Sequence, residues 1–590
     1  MSAKVHPIQR FTQLLHVERA DLCLVGVYTL VMILLGLSVP IATQSLVNTI
    51  AAGLFAQPVY VLSLMVLGGL GLAGVMHILT YAVVERLQLR VFTNTAMALA
   101  RRMVAARCDR LRTEYAPELV NRFFDVITIQ KALSKLLLDG FTALLQAIVS
   151  LIFLAFYSPQ IMTSAIILFL VFLGTVILLG IGGVKSSVEE SYEKYHVADW
   201  LEDVARCHNA FKLYGKPQLI DRKTDQVVLA YLEKRHLHFR VNRRQLIGYY
   251  IFAALASSGV LFAGGLQVLS GNLTIGQLVA SQILVTLSLS SFEKLVRQSD
   301  KYFDLLAGLD KVGHVVSLPV EREGGRSIPE RPGAMAASVE CRNVHFSYSA
   351  NSPVLVGLNL SLHPGERISL VGSSGAGKST LASLLCGLDE PTRGDILIEG
   401  IDVREVDLRS LRRIVGIAGL EREIFDGTIL ENILVGRDHL TADDVRWALD
   451  VAQLADDVAA MPDGIKTNLI SGGQNLSRGQ AQRLMIARAI VDRPHLLILD
   501  EAFTGIDERI SQRILDRIFC DDYTGTIIDI SHQPEVILRT ETVYVMADGA
   551  IREHGSPQQL AADPDSEFSK LFPFLSANLR SGMPYPGGQS

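Results

Sequence analysis

Three long stretches of the chain, residues 22–84, 140–184 and 245–292, contain no Asp, Glu, Lys or Arg. A helix needs about 20 apolar residues to cross a membrane, so each stretch is long enough for two crossings. Turn-forming residues divide each stretch near its middle. Six transmembrane helices in three hairpins are therefore predicted, and the length of the uncharged runs disfavours a large buried helical core. The predicted spans are about 21–45, 58–82, 138–157, 160–184, 246–266 and 275–292.

Composition agrees with a membrane protein and excludes other classes. Of the 590 residues, 19% are charged, against about 25% in a typical soluble protein. Disordered chains are polar and highly charged, so this chain is not one of them. A net charge of −5 gives no basis for a nucleic-acid partner. The six cysteines form no CxxC pair, so neither a clustered metal site nor a redox motif is expected.

Lys and Arg residues lie between the predicted hairpins, at 85–139 and 185–244, and are absent from the hairpin tips. Basic segments stay on the cytoplasmic side of a membrane. We therefore expect a multi-pass integral membrane protein in a bacterial inner (plasma) membrane, with a cytoplasmic N-terminus. As helices of about 22 residues, the two basic segments would extend roughly 33 Å into the cytoplasm.

The character of the sequence changes after residue 318. A segment rich in charge, Gly and Pro is followed by short aliphatic runs, such as 367–371 and 495–500, that alternate with helical patterns. This alternation predicts an α/β domain with a largely parallel sheet. The chain is thus divided into a transmembrane domain at 1–318, a linker at 319–337, an α/β domain at 338–575 and a C-terminal tail at 576–590.

A glycine-rich loop that fits GxxxxGK[ST] follows the apolar run 368–371. In this strand–loop–helix context, glycines let backbone N–H groups surround phosphates, and the start of the helix adds positive potential. Lys378 would contact the β- and γ-phosphates, and the Ser379 hydroxyl would bind Mg²⁺. ATP and Mg²⁺ are therefore the expected cofactors. The expected ATP-binding residues of the loop are Gly372, Ser373, Ser374, Gly375, Ala376, Gly377, Lys378, Ser379 and Thr380.

Two carboxylates, Asp500 and Glu501, end the apolar run that starts at His495. In a phosphate-loop NTPase, the first acid holds Mg²⁺ through water and the second polarises the attacking water. Such a pair can also be ordinary helix-capping acids, but the upstream phosphate loop favours the catalytic interpretation. ATP hydrolase activity is therefore expected.

A short motif before Asp500 resembles the LSGGQ signature of ABC ATPases and stands at the family's usual spacing. A decoy at 471–474 lies closer to the consensus but too early in the chain. In this family the signature of one subunit closes over ATP held by the other, so the resemblance implies a dimer. The signature residues are Leu476, Ser477, Arg478, Gly479 and Gln480.

Other positions match the same family. Tyr348 resembles the aromatic residue that stacks on adenine, Asp507 ends a D-loop, and His532 resembles the switch histidine that contacts the γ-phosphate. The six spans resemble an exporter-type ABC half-transporter over about residues 10–575. That resemblance implies short coupling helices near 109–116 and 197–206.

The chain also departs from the family pattern. Leu420 stands where the family has a glutamine whose oxygen reaches Mg²⁺, and a leucine side chain cannot replace that ligand. The neighbouring Glu421 is a candidate substitute. Arg478 replaces a signature glycine, and residues 502–504 differ from the usual Ala-Thr-Ser. Because Lys378, Ser477, Glu501 and His532 are all present, a slow or unusual ATP site is expected rather than an inactive one.

The leading hypothesis is an ATP-driven exporter built as a homodimer, which moves an amphiphilic substrate out of the cytoplasm. A lipid, a drug-like molecule or a peptide would suit spans that lack ionisable counter-charges. Membrane lipids and a second half-transporter are the expected partners. The alternative is one half of a heterodimeric exporter whose own ATP site is slow or mainly structural. A soluble ABC-type ATPase is disfavoured by the six spans.

Overall fold

The computed structural model describes residues 9, 16, 18–53, 57–113, 116–156, 159–329, 336–349, 352–419, 423–520 and 523–581. Contacts divide the chain into two units. The first unit is Met1–Ala106 with Arg110–Val320, and the second is Arg107–Asp109 with Glu321–Ser590.

Helices make up the first unit, because a helix satisfies backbone N–H and C=O groups within itself and so tolerates apolar surroundings. They are α1 (Arg19–Gly36), α2 (Ser38–Ala51), α3 (Gln57–Ala105), α4 (Cys108–Thr113), α5 (Ala116–Asn121), α6 (Phe124–Lys135), α7 (Thr142–Ala155), α8 (Pro159–Leu179), α9 (Gly183–Arg206), α10 (His208–Tyr214), α11 (Pro217–Leu269) and α12 (Ile275–Val316). A π-helical segment, Leu136–Phe141, joins α6 to α7.

Six helical stretches in the described part of the chain are long and apolar enough to cross a membrane. Several of them continue well beyond a span: α11 has 53 residues and α3 has 49. The prediction of several membrane-crossing helices is therefore confirmed. The stretches are Arg19–Ala51, Gln57–Ala105, Leu119–Ala155, Phe169–Arg206, Pro217–Leu269 and Ile275–Val316.

Two of the predicted spans are each divided between two α-helices. The span at 21–45 breaks at Leu37, and Pro40 then lies in the first turn of α2, where its missing N–H costs no hydrogen bond. The span at 160–184 breaks at residues 180–182, between α8 and α9. Gly182 has a φ of 89° there, a left-handed conformation that glycine adopts without steric cost.

The short helix predicted near 197–206 is not present at that position. Residues 197–206 form the end of the 24-residue helix α9, whose sequence has no proline and no glycine after Gly183. The short helix is instead α10, at His208–Tyr214. It ends at Gly215 because Pro217 starts α11, a position that proline favours. The first predicted coupling region contains α4.

The second unit alternates strands and helices, as predicted. Its strands are β1 (Val339–Ser349), β2 (Ser352–Leu362), β3 (Arg367–Gly372), β4 (Arg393–Ile398), β5 (Ile401–Asp402), β6 (Val415–Ala418), β7 (Gly427–Thr428), β8 (Asn468–Leu469), β9 (Leu496–Asp500), β10 (Thr526–Ile530), β11 (Thr542–Ala547) and β12 (Ala550–Gly555). Its helices are α13 (Lys378–Leu385), α14 (Leu408–Ile414), α15 (Ile429–Leu434), α16 (Ala442–Val451), α17 (Ala455–Ala459), α18 (Arg478–Ile490), α19 (Glu508–Ile518), α20 (Pro534–Ile537), α21 (Pro557–Ala562), α22 (Glu567–Leu571) and α23 (Pro573–Ser581).

The main sheet has six strands in the order β12-β11-β3-β10-β9-β6. All neighbouring pairs are parallel except β11 with β12. Every residue of β9 and β10 is buried, which is typical of parallel strands covered on both faces. A second, antiparallel sheet has the order β2-β1-β4-β5. Because β3, β10 and β9 are adjacent and parallel, the residues after their carboxyl ends meet at one edge.

Candidate nucleotide-binding site

The phosphate loop connects β3 to α13. At two of its glycines, neighbouring atoms leave no room for a side chain. A Cβ atom on Gly372 would collide with the carbonyl oxygen of Met546, and one on Gly377 would lie 2.6 Å from Leu355 Cδ2. Gly377 has a φ of 100° and Gly375 one of 84°. The loop therefore exposes backbone N–H groups without side chains in the way, which suits the binding of phosphate groups.

Lys378 begins α13 and turns its ammonium group back into the loop. Its Nζ donates hydrogen bonds to the carbonyl oxygens of Gly372 (2.7 Å) and Ser373 (3.1 Å). The side chain is largely buried, and burial lowers the pKa of Lys378, while the nearby Glu501 and Asp500 carboxylates oppose this shift. A buried ammonium whose hydrogen bonds in the described residues go to carbonyl groups can donate to phosphate oxygens instead.

Asp500 and Glu501 lie at the carboxyl edge of the same sheet in different environments. Asp500 is buried, and burial raises its pKa, although a hydrogen bond from the Ser379 hydroxyl opposes the increase. Glu501 is exposed and has a φ of 53°, which is uncommon for a residue other than glycine. Its backbone N–H donates to the carbonyl oxygen of Ile530 (2.8 Å). Ser379 and Asp500 thus form an oxygen pair that fits Mg²⁺, with the exposed carboxylate of Glu501 beside it.

His532 follows β10, and its charge state is influenced by Lys378 and Glu501. Partial burial and the positive charge of Lys378 lower the pKa of His532, while Glu501 opposes the shift. Its ring lies 6.4 Å from the Phe572 ring, measured between centroids. The imidazole is therefore neutral near pH 7, so one ring nitrogen can donate a hydrogen bond and the other can accept one.

Tyr348 is the second-last residue of β1 and lies close to the start of α13. Its hydroxyl lies 3.0 Å from the Thr380 hydroxyl, and its ring meets the Phe346 ring edge-on at 4.8 Å. About half of the tyrosine is exposed. The half-exposed ring thus lies next to the start of the helix that follows the phosphate loop.

The signature residues begin α18, where Ser477 is the helix N-cap. Ser477 Oγ accepts a hydrogen bond from the Gln480 N–H, and Gln480 Oε1 accepts one from the Ser477 N–H. Arg478 is exposed and lies against Gly505. Asp507 caps the next helix, α19, by accepting from the Arg509 N–H (3.0 Å). The decoy at Ser471–Gly473 forms a short 3₁₀ turn.

The structure thus brings some of the predicted site residues together and leaves others apart. Lys378, Ser379, Asp500, Glu501 and His532 influence one another electrostatically. Among the residues that the structure describes, no hydrogen bond or ion pair joins Ser477, Arg478 or Gln480 to this group. Leu420 and Glu421 lie outside the described residues.

Sequence reasoning missed Asp529, a carboxyl group in the middle of β10. It pairs in register with Ser369 on β3 and Leu499 on β9. Asp529 is fully buried, and in the described part of the chain neither of its side-chain oxygens has a hydrogen bond of normal geometry, although the Ser369 hydroxyl lies close enough to oppose the rise of its pKa. Burial and the charge of Asp500 raise its pKa well above the usual value. The sequence feature that could have identified this residue is an aspartate inside the strand-forming run 526–530.

Comparison with known proteins identifies the family of the second unit. Residues 355–504 match the family model described as ABC transporter. The chain is 29% identical over 363 residues to the transport/processing ATP-binding protein ComA of Streptococcus pneumoniae, which covers 61% of this chain and 50% of that protein. It is 30% identical over 368 residues to the ATP-dependent lipid A-core flippase of Chromobacterium violaceum, covering 61% of each.

A further relative is the alpha-hemolysin translocation ATP-binding protein HlyB of Escherichia coli, 33% identical over 321 residues, which cover 54% of this chain and 44% of that protein. The chain spans about half the length of the curated relatives it matches. Its fold matches a solved structure of a bacterial Atm1-family ABC exporter with ATP bound, with a TM-score of 0.84 and 23% identity, over 94% of this chain and 99% of that one.

These comparisons confirm the predicted fold class, a helical domain followed by an α/β ATP-binding domain, and the resemblance to ABC exporters. Residues 355–504 of the C-terminal unit therefore match the ABC transporter family, and the chain, whose described part joins this unit to six apolar helices, has the fold of an ABC exporter.

Proposed function

We propose that this chain is one half of an ATP-driven exporter that works as a dimer. The observation that carries the proposal is the arrangement at one edge of the main sheet, where the phosphate loop, Lys378, Asp500 and Glu501 meet. In the same chain, six apolar helices are long enough to cross a membrane. An ATP site joined to membrane-crossing helices suits the coupling of hydrolysis to transport.

The residues of the loop and of β1 would hold the nucleotide. Backbone N–H groups of Gly372–Ser379 would surround the phosphates, and Tyr348 would stack on adenine. Lys378 would exchange its carbonyl partners for phosphate oxygens. Ser379 would hold Mg²⁺ directly and Asp500 through water, and the ion would supply charge neutralisation for the phosphates. These roles belong to a nucleotide domain that we place at 338–575, after a membrane domain at 1–318 and a linker at 319–337.

Glu501 is the residue best suited to act on water. Its carboxylate is exposed beside Lys378, whereas Asp500 is buried. During hydrolysis the water oxygen would form a bond to the γ-phosphorus, the bond to the ADP oxygen would break, and Glu501 would accept the proton. The neutral His532 would donate a hydrogen bond to a γ-phosphate oxygen.

The substrate that best fits the membrane unit is an amphiphile, such as a lipid, a drug-like molecule or a peptide. The three uncharged stretches place no Asp, Glu, Lys or Arg within the apolar part of the helices, so a small ion would find no counter-charge there. The relatives named above include a lipid A-core flippase and an alpha-hemolysin translocation protein. We place the protein in a bacterial inner membrane, with the ATP-binding unit in the cytoplasm.

Replacing Glu501 with Gln tests the proposed chemistry. Glutamine keeps the shape of the side chain but cannot accept the proton, so ATP hydrolysis should fall on the order of 100-fold. ATP binding should persist, and Mg-ATP should trap a closed dimer in this variant. Steady-state ATPase assays and size-exclusion chromatography of the detergent-solubilised chain measure both effects.

Glu567→Gln is the matched control, since Glu567 is an exposed carboxylate on α22 that pairs with Lys570 (2.9 Å). Its ATPase activity should equal that of the wild type. Equal turnover by Glu501→Gln and wild type would assign the base to another group.

A heterodimer, in which this chain is one half, is the second candidate because Leu420 and Arg478 depart from the family pattern. It is favoured if the chain alone binds ATP but neither hydrolyses it nor dimerises.

A further inference from the structure

Helices α9 and α11 run side by side in opposite directions. Lys234 Nζ on α11 donates to Glu189 Oε2 on α9 (3.0 Å). Further along α11, the Arg244 guanidinium donates to the Ile181 carbonyl oxygen just before the start of α9 (2.9 Å). These two contacts fix the register of the helices, because positions that advance along α11 move back along α9. Between the two contacts, the start of α9 therefore lies opposite the middle of α11.

Acidic and basic side chains are balanced at one level of these helices and unbalanced at the next. The turn that contains Lys234 also contains Arg235, whose guanidinium donates to Glu190 (2.9 Å). Towards the apolar stretches the acids end: residues 176–188 contain no Asp or Glu, and neither do residues 236–252. Positive charges in this region therefore have no acidic side chain opposite them on the two helices.

Two exposed cations, Lys185 on α9 and Arg240 on α11, lie in this region. Lys185 Nζ is 3.9 Å from Glu189, which is already held more closely by its partner on α11 (3.0 Å). Arg240 has no ion pair and no side-chain hydrogen bond in the described part of the chain. Asp300 on α12 accepts from His238 (2.9 Å), so its charge is in use as well. An excess of positive charge therefore remains on this surface.

Exposed apolar side chains adjoin the two cations on one side. Lys185 directly follows the uncharged stretch 140–184. On the apolar side, Ile181 is 68% exposed and Ile247 is 54% exposed. A phospholipid has the same division, with apolar chains next to a polar headgroup, whereas a free phosphate ion has no apolar part. The surface therefore fits a membrane lipid with a negatively charged headgroup.

We propose that Lys185 and Arg240 bind the phosphate group of an anionic phospholipid, whose acyl chains lie against Ile181 and Ile247. A guanidinium donates to two phosphate oxygens in parallel, and the ammonium adds a point charge. A zwitterionic lipid carries its own cation, so these side chains select a headgroup with a net negative charge. The bound lipid joins α9 to α11 at the cytoplasmic membrane surface. The inference goes beyond the proposed function, since it requires helices in a membrane but neither ATP hydrolysis nor a dimer.

Quenching of tryptophan fluorescence by brominated lipids tests which lipid lies at this surface. The full chain carrying Ile181→Trp is reconstituted in phosphatidylcholine vesicles that contain brominated phosphatidylglycerol or, for comparison, brominated phosphatidylcholine. The chain without this substitution gives the background of Trp200 and Trp447. Leu269→Trp is the control probe, because Leu269 is 86% exposed at the other end of α11, within the uncharged stretch 245–292.

Brominated phosphatidylglycerol should quench the tryptophan of Ile181→Trp at a lower mole fraction than brominated phosphatidylcholine, by about fivefold for each of the two cations. Adding Lys185→Gln and Arg240→Gln together should remove this preference, because the two charges that select the headgroup are lost. The tryptophan of Leu269→Trp should show no preference, since no charged residue lies near it in the sequence.

Lys216→Gln combined with Arg222→Gln is the matched control and should keep the preference. Both residues are exposed at the cytoplasmic end of α11. Arg222 lies about 27 Å from Arg240 along the helix, which is beyond the range over which screened surface charges act. This control removes the same number of positive charges from the chain without touching the proposed site.

Equal quenching of Ile181→Trp by the two lipids contradicts the proposal, and so does a preference that persists without both cations. Loss of the preference when inorganic phosphate replaces chloride at equal ionic strength would assign the surface to soluble phosphate instead. In detergent without lipid, the chain with Lys185→Gln and Arg240→Gln should melt at the wild-type temperature. A lower melting temperature would mean that these side chains hold the helices together rather than a lipid. None of these measurements uses ATP, so a negative result leaves the proposed function unaffected.

Discussion

At the scale of single residues, two carboxyl groups in adjacent strands show how burial decides chemistry. Asp500 ends β9 and has the Ser379 hydroxyl as a partner, so it can serve a metal ion. Asp529 lies one strand away and is fully buried, with the Ser369 hydroxyl beside it. An isolated charge in such a place is very unfavourable, and the group remains protonated instead. Asp529 is therefore a neutral acid within the core of the ATP-binding unit.

We expect this burial to make stability depend on pH. The pKa of Asp529 is raised on folding, so at pH values above its unfolded pKa of 3.8 the folded state binds a proton that the unfolded state has released. The free energy of unfolding therefore falls as the pH rises through this window, by about 1.4 kcal/mol per pH unit. Asp529→Asn removes the effect. Its melting temperature should exceed that of the wild type by more at about pH 8 than at about pH 5.

Intrinsic fluorescence of the purified full chain gives both melting temperatures. Asp443→Asn is the control, because Asp443 is an exposed aspartate on α16, and it should leave the pH dependence of the wild type unchanged. An identical pH dependence for Asp529→Asn and wild type would contradict the neutral state of this carboxyl group.

At the scale of elements, the break between α8 and α9 shows how a helix can end inside an uncharged stretch. The carbonyl groups of the last helical turn have no partner within the helix. Arg244 on α11 supplies one: its guanidinium donates to the carbonyl oxygens of Leu179 (2.6 and 2.9 Å) and Ile181 (2.9 Å). Residues 180–182 can therefore leave the helix without leaving those acceptors unpaired.

Removing this arginine should destabilise the helical unit. We expect Arg244→Met to cost about 1–3 kcal/mol, because it leaves carbonyl groups unpaired, and to lower the melting temperature of the full chain. Arg240→Met is a closely matched control, since Arg240 is exposed one turn earlier on the same helix. Equal melting temperatures for the two variants would mean that water satisfies the carbonyl groups of Leu179 and Ile181.

At the scale of the whole molecule, the lengths of the helices determine which segments are separated by the membrane. Helix α11 has 53 residues and is on the order of 80 Å long, which exceeds the thickness of the hydrocarbon core. Ser270 follows one end of this helix, and Cys207 lies shortly before the other end. Both positions are exposed. The distribution of Lys and Arg predicts that the Cys207 end lies in the cytoplasm.

Thiol labelling of sealed cells tests this topology. A cysteine introduced as Ser270→Cys, in a chain whose native cysteines are replaced, should react with a membrane-impermeant reagent added outside. A chain that retains only Cys207 should react after the cells are opened and not before. Labelling of Cys207 alone in sealed cells would contradict the six-span topology.

The uncharged stretches and the phosphate loop could be recognised from the sequence alone, because both depend on local properties. About 20 consecutive apolar residues favour a membrane whatever their neighbours are. The pattern at 372–379 specifies a strand, a loop and a helix start through glycines and one lysine within a few positions. The structure accordingly contains β3, the loop and α13 in that order.

Other features were decided only by the tertiary structure, because they depend on residues distant in the chain. The end of α8 requires Arg244, which lies 65 positions after Leu179. The burial of Asp529 results from β3 and β9, and the position of Arg478 results from Gly505. Local sequence patterns predict secondary structure, whereas burial and hydrogen bonding at these positions depend on which segments pack side by side.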